Sequence, residues 1–271
     1  MAEFFRAIIE FPFMQRALIA GVLVSLASAV LGVSLVLKRY SMIGDGLSHV
    51  AFGALAIATA LNLAPMQVTI PVVILAAFLL LRISERSKIK GDSAIALIST
   101  GALSIGVIAV SLSKGMNAEV YNYMFGSILS LGKTDVILSV GLSLVVLLMF
   151  CLFYNRIFSV TFDEEFSSAT GTKVAAYNML LSILTAVTIV IGMKLMGSML
   201  ISALIIFPAL TSMRLFKTFK TVVVSSLVVS AVCFIGGMVV SYTFDLPTGA
   251  SIVLANIVMF LVFSIIKTIK R

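Results

Sequence analysis

Charge is what this sequence has least of. Of its 271 residues only 11% are Asp, Glu, Lys or Arg, against about a quarter in ordinary soluble domains. A water-soluble chain of this length needs a largely polar outer layer, so the scarcity excludes a soluble globular protein. Other absences narrow the choice further. There are two cysteines, Cys151 and Cys233, each inside an apolar run, which argues against a structural disulfide and for small packing residues. No G-x-x-x-x-G-K-[ST] loop is present to hold nucleotide phosphates, and no Ser–His or paired-Asp arrangement of catalytic type is visible. The chain therefore does not read as an enzyme or as its own source of ATP energy. No repeat of fixed period and no polar linker divides it, so residues 1–271 read as a single domain.

What is there is apolar. Hydrophobic residues make up 61% of the chain and the mean hydropathy is +1.21, values of an integral membrane protein. The apolar runs extend over roughly 20 residues, the length that crosses hydrocarbon as a helix. Barrel strands would alternate in and out over about 10 residues instead. The first long run, Ala17 to Leu37, ends in Lys38 and Arg39 without a cleavage site, so it is a span and not a signal peptide. The fold class is all-α: a polytopic membrane helical bundle of eight to nine spans. Nine apolar segments can be drawn, at about 17–37, 42–62, 66–82, 92–113, 135–155, 177–196, 198–213, 221–242 and 247–266. The seventh is short and contains Pro208, which makes it a candidate broken or partial span.

The formal net charge of +8 raises nucleic acid binding, but its distribution points to topology. Fourteen of the 19 basic residues fall in the loops at 38–39, 82–90, 156–173, 214–220 and 267–271. The positive-inside rule puts that face, and the C-terminus, in the cytoplasm. Nine spans then place the N-terminus outside, with the first 16 residues, including Phe4, Phe5, Phe11 and Phe13, lying in the interface. The outer segment 114–134, with Tyr121, Tyr123 and Phe125, reads as an interfacial or re-entrant helix.

The cytoplasmic segment has its own grammar. Thr161 followed by Glu164 forms a capping box, Asp163, Glu164 and Glu165 suit a helix N-terminus, and Gly171 is placed to end the helix. Between them Phe162, Phe166 and Ala169 fall on one face. The pattern predicts a short amphipathic helix at about 161–171, either folded against the chain's own cytoplasmic surface or docked into another protein.

One acid lies within a span. Asp45 sits four residues before His49, the only histidine of the chain. On a helix these positions share a face. His49 lies ten residues beyond Arg39, or roughly 15 Å, which is near the middle of a ~30 Å hydrocarbon layer. Imidazole nitrogen with carboxylate oxygen suits a borderline divalent ion such as Zn²⁺ or Mn²⁺. Two ligands are too few for a structural zinc site but suit a weak site on a transport path. A buried Asp–His hydrogen bond joining two spans and a proton relay are the competing readings. Ser48, Ser99, Thr100 and Ser104 are candidate lining residues, although hydroxyls in membrane helices commonly bond their own backbone. Asn117 and Glu119 mark a possible outer entrance. Lys194 reads as snorkelling outward, and Gly236-Gly237 as a close helix contact.

These residues resemble a family. Ile43-Gly44-Asp45-Gly46-Leu47-Ser48-His49 is similar to the G-D-x-[LI]-[SA]-H signature of the permease subunits of bacterial zinc and manganese ABC importers. Tyr123 to Leu129 resembles that family's Y-x-F-G-[SD]-[IL]-L, Gly197 to Ala209 its G-x-L-[LI]-x-x-x-L-[LI]-I-x-P-A, and Leu246 to Leu254 its closing P-x-G-x-x-[IV]-V-L. The motifs run in family order from about residue 16 to 265. The resemblance implies an ATP-driven importer carrying Zn²⁺ or Mn²⁺ into the cytoplasm as substrate, with no permanent cofactor. It implies a homodimer of mostly eight-span protomers in the bacterial inner membrane, with the ion path between them and Asp45 and His49 as metal ligands. A separate cytoplasmic ATPase and an extracellular or periplasmic metal-binding protein would complete it, with the 161–171 helix (Phe162, Asp163, Glu164, Glu165, Phe166, Ala169, Gly171) as the coupling helix. Two departures stand out. Gly53 and Ala54 replace a common Pro-Gly or Leu-Gly pair, and Thr100 takes the place of a second histidine seen in some zinc-type relatives. Met193 to Gly197 is more like the zinc branch, which favours zinc and leaves manganese open. The alternative is an ion-coupled secondary metal carrier that needs no ATPase.

Overall fold

The computed structural model describes residues 10–86, 91–113 and 132–270. Among them there is no strand. The first four helices are α1 (Pro12–Leu37), α2 (Ile43–Ala60), α3 (Pro65–Arg86) and α4 (Gly91–Leu112). After residues 114–131 come α5 (Lys133–Leu152), α6 (Tyr154–Phe162) and α7 (Glu164–Ala169). The chain closes with α8 (Val174–Met196), α9 (Ser198–Leu215), α10 (Phe219–Phe244) and α11 (Thr248–Ile269). Seven of these, α1, α2, α4, α5, α8, α10 and α11, are long and apolar enough to cross a bilayer. Two shorter apolar stretches, Pro65–Leu80 in α3 and Leu200–Leu215 in α9, correspond to the remaining sequence segments.

The seventh apolar segment is not broken. Pro208 lies inside a continuous α9, and its carbonyl accepts a bond from the Ser226 hydroxyl of α10 at 3.2 Å. The interruption falls earlier, at Gly197. Its φ of +89° and ψ of 158° are open essentially to glycine alone, and they separate α8 from α9. The first helix starts earlier than the hydropathy suggested, at Pro12, whose missing N–H costs nothing in the first helical turn. Phe11 and Phe13 stay exposed at that end.

Helices α1, α2 and α8 form the centre and are mostly buried, whereas α4, α5 and α11 lie at the periphery. Leu47 and Leu55 of α2, Val73 of α3, Ile189 and Met193 of α8, and Ile201 and Leu204 of α9 share the main core. Small residues set how closely the helices approach. A Cβ at Gly32 of α1 would overlap the Ile205 carbonyl of α9 at 1.8 Å, and one at Gly237 of α10 would meet the Ile252 Cα of α11 at 2.5 Å. Gly236 faces open space, so only one glycine of that pair is a packing residue. Without a hydrophobic drive between helices in lipid, such backbone contact is a main source of their attraction.

A second core gathers where Leu31 of α1, Phe150 of α5, Ile157 of α6 and Phe219 of α10 meet. The Phe219 ring lies 5.4 Å from that of Tyr154, 5.1 Å from Phe158 and 6.0 Å from Phe162. This aromatic cluster holds α6 against the bundle.

Candidate functional site

Helix α2 carries the acid–imidazole pair, and its packing determines which way the pair looks. One side of α2 lies against α4. A Cβ at Gly46 would stand 2.5 Å from Ile95 Cγ2, and one at Gly53 would stand 2.5 Å from the Ala102 carbonyl oxygen. The register advances together on both helices, so α2 and α4 run parallel. Gly106 completes the contact, where a Cβ would fall 2.8 Å from Gly53 Cα. The glycine at position 53 therefore leaves α2 helical through to Ala60 and serves the crossing. Another side of α2 faces α9, with Gly44 close to Ile205 and Ser202.

Asp45 and His49 project away from these contacts. His49 Nε2 lies 3.6 Å from Asp45 Oδ2, with the side chains 25% and 41% exposed respectively. That separation is beyond a hydrogen bond. The two residues also belong to one helix, so a bond joining two spans is not their role. A tetrahedral ion with Zn–N and Zn–O arms of about 2.0–2.1 Å would hold its two ligand atoms about 3.4 Å apart. The pair is within a few tenths of an ångström of that spacing. No group of three or more His, Cys, Asp or Glu that could hold a metal ion occurs among the described residues.

The candidate lining residues divide. Ser48 is buried within the chain, and its hydroxyl donates to the Asp45 carbonyl at 2.8 Å. Ser99 is also buried, at 6% exposure. Thr100 is exposed, and its hydroxyl donates to the Ala96 carbonyl at 2.7 Å. Ser104, exposed one turn on, bonds the Thr100 carbonyl at 2.8 Å. Gly46 lies opposite Ile95 and Gly53 opposite Ala102, so Thr100 stands at about the level of His49. Its donor is committed to its own helix, but its oxygen keeps a free lone pair. Asn117 and Glu119 lie outside the described residues, as do Tyr121, Tyr123 and Phe125.

The 161–171 segment differs from its sequence pattern. The chain turns at Asp163, with φ −149° and ψ 101°, and divides the expected helix into α6 and α7. The N-cap is Asp163, whose Oδ1 accepts from the Phe166 amide at 2.8 Å. Thr161 is not the cap: its hydroxyl is buried without a partner. Phe162 thus ends α6 while Phe166 and Ala169 belong to α7, although all three remain exposed. Gly171 does end the helix. At φ +80° it closes a Schellman motif, its amide bonding the Ser168 carbonyl and the Thr172 amide bonding the Ser167 carbonyl.

Glu164 turns inward. Lys38, only 6% exposed at the end of α1, pairs with Glu164 Oε1 at 2.6 Å and donates to Asn178 Oδ1 of α8 at 2.6 Å. The Asn178 amide closes the triangle on Glu164 Oε1 at 3.2 Å. A nearly buried ammonium needs such partners, but they lie 126 and 140 residues away, beyond any local pattern. At the other end of α8, Lys194 does not snorkel. It pairs with Asp135 Oδ1 at 2.5 Å and ties α8 to the start of α5.

These features define a multi-pass helical membrane protein with one acid–imidazole pair on a central span and a braced helical appendage at its basic end. The sequence matches the ABC 3 transport family over residues 10–267, nearly its whole length, and the chain belongs to that family. It is 30% identical over 269 residues to the manganese import system permease protein ScaB of Streptococcus gordonii, covering 99% of this chain and 96% of that protein. It is equally 30% identical, over 258 residues, to the high-affinity zinc uptake system membrane protein ZnuB of Haemophilus influenzae, covering 95% and 98%. The solved structure of PsaBC from Streptococcus pneumoniae in complex with Fab matches with a TM-score of 0.87 at 30% identity, covering 97% of this chain and 94% of that one.

Proposed function

We propose that this chain is the permease subunit of an ATP-driven importer that carries Zn²⁺ or Mn²⁺ across the bacterial inner membrane into the cytoplasm. The observation that carries this reading is the Asp45–His49 pair, two metal-ligand side chains 3.6 Å apart on one face of a membrane-spanning helix, in a chain of the ABC 3 transport family. Relatives of equal identity bear manganese and zinc names, so the substrate is assigned as this pair of ions.

An ionisable pair so exposed on a span does not face lipid, because such groups in membranes face a bundle interior or a water-filled cavity. A second copy of the chain placed against this face makes the homodimer, with the ion path between protomers and Thr100 beside it. With α3, or with α3 and α9, added to the seven long apolar helices, the chain has eight to nine spans in one permease domain over residues 1–271. The exposed Phe162, Glu165, Phe166 and Ala169 dock into a separate cytoplasmic ATPase, with Asp163 and Gly171 shaping α7 and Glu164 bracing it. An extracellular or periplasmic binding protein supplies the ion at the opposite face. An ion-coupled carrier would have no use for this appendage.

The test is uptake of Zn²⁺ and of Mn²⁺, supplied separately, by cells that depend on the complete importer. Asp45→Ala and His49→Ala each abolish uptake while the protein remains in the membrane. Normal uptake with both residues replaced would overturn the site. ATP hydrolysis by the purified chain alone would overturn the assignment as a permease.

A further inference from the structure

The transport reading leaves one cavity unused. It measures about 490 Å³ and lies where the α5–α6 junction, the turn after α7 and the first turn of α8 meet. Its charged wall is entirely cationic. Arg156 and Lys173 line it, with Thr170, Thr172 and the Gly171 backbone between them, and among the described residues no carboxylate joins them. Of the acids of the α6–α7 turn, Asp163 caps α7 and Glu164 pairs with Lys38, while Glu165 is exposed and is not part of the cavity wall. One guanidinium nitrogen of Arg156 donates to Thr172 Oγ1 at 3.0 Å, which fixes the group and leaves its other donors available. Lys173 is the N-cap of the 23-residue α8, so the positive end of that helix dipole adds to the field.

The opposite wall is apolar. Phe153 and Tyr177 meet edge to face at 5.8 Å, and Leu180 lies a turn deeper along α8. α5 and α8 are both apolar enough to cross the bilayer, and the cavity joins the end of the one to the start of the other, the level at which a span passes from hydrocarbon to headgroups. A free phosphate would need only the cationic half. A phospholipid matches both halves, and basic pockets between membrane helices on the cytoplasmic side are suited to anionic headgroups.

The geometry points to a site for the phosphate headgroup of an anionic phospholipid, held by Arg156 and Lys173 with its glycerol and first acyl carbons against Phe153, Tyr177 and Leu180. Lipid bound here bridges the end of α5 to the start of α8 and abuts the turn after α7, so it stiffens the base of the cytoplasmic appendage.

The test is native mass spectrometry of the full chain, co-expressed with its ATPase and purified in a nonionic detergent, after titration with phosphatidylglycerol or phosphatidylcholine. The wild type retains phosphatidylglycerol in preference to phosphatidylcholine. Each of Arg156→Gln and Lys173→Gln lowers that retention about fivefold, the factor equivalent to about 1 kcal/mol per basic residue near anionic lipid. Lys173→Gln is the safer variant, since it disturbs no side-chain bond described in the fold. Equal retention of the two lipids by the wild type, or unchanged retention by both variants, overturns the proposal. So does protection of the lipid-free protein against thermal unfolding by inorganic phosphate alone to the same extent as by phosphatidylglycerol, which would make this a site for a free anion. Loss of the co-purified ATPase with lipid retention unchanged would assign the cavity to the docking surface, and would overturn the proposal without touching the transport reading.

Discussion

Replacing Gly53 by alanine tests the link between helix packing and the ion site. The ideal Cβ falls 2.5 Å from the Ala102 carbonyl oxygen and 3.1 Å from its carbon, where ordinary contact begins at 3.4 Å. The obstacle is backbone, so no side chain can rotate away, and α4 must retreat by about 0.9 Å (3.4 minus 2.5). Overpacking of this kind costs about 1–3 kcal/mol. Gly101→Ala is the matched control, because a Cβ at Gly101 on α4 meets nothing within 4 Å. Both changes gain the same helix propensity, about 1 kcal/mol in water, so the difference between the two variants isolates the crossing. The expected result is a lower thermal midpoint for Gly53→Ala than for Gly101→Ala in one detergent, equivalent to about 1–3 kcal/mol. Uptake should fall too, since His49 lies one turn from Gly53 and Thr100 moves with α4. Equal midpoints and equal uptake would refute the close crossing and its control of the site.

Phe166→Asp should abolish ATPase-driven uptake with little loss of stability, since Phe166 is 63% exposed; surviving uptake in a fully expressed variant would remove the docking role. Phe162→Asp is the less clean probe, because Phe162 also packs on Phe158 and Phe219. Lys38→Ala removes the hydrogen bonds from the ammonium to Glu164 and Asn178 and should cost about 1–3 kcal/mol. Glu164→Gln should cost less, because the carboxylate is 46% exposed and its attraction is screened; thermal midpoints in the reverse order would contradict the brace. Asp135→Lys and Lys194→Asp should each destabilise by about 1–3 kcal/mol, and the double exchange should recover most of it. A double variant as unstable as the sum of the two would mean that the ion pair contributes nothing.

What could be read from the sequence follows from range. Span positions rest on runs of consecutive residues, and the Asp45–His49 alignment rests on an i, i+4 spacing, so both were visible before any coordinates. Gly171 was legible as a helix stop for the same reason. The capping box failed because Thr161 and Asp163 are competing local choices. The break at Asp163 follows from packing: Ile157 and Val160 are fully buried and the α6 rings stack on Phe219, which fixes the direction of α6. The chain then has to turn for Ser167 to meet Ser159 at 2.6 Å and for Glu164 to reach Lys38. Ser48 and Thr100 show the same limit, since both are hydroxyls on spans and only the neighbouring helices decide which is buried.

By itself the sequence determined a membrane protein, an acid–imidazole pair on one helix face and a short helical appendage among its basic loops. Each depends on composition or on neighbours within about one helical turn. The tertiary structure decided which faces are open. It set α2 against α4 through glycines and so turned Asp45 and His49 outward. It joined Lys38 to Glu164 and Asn178, and Asp135 to Lys194, across gaps of 59 residues and more. It also brought Arg156 and Lys173 to the wall of one cavity. Partners so distant are selected by helix packing and by the cost of leaving buried polar groups unpaired, and neither is written in any local pattern.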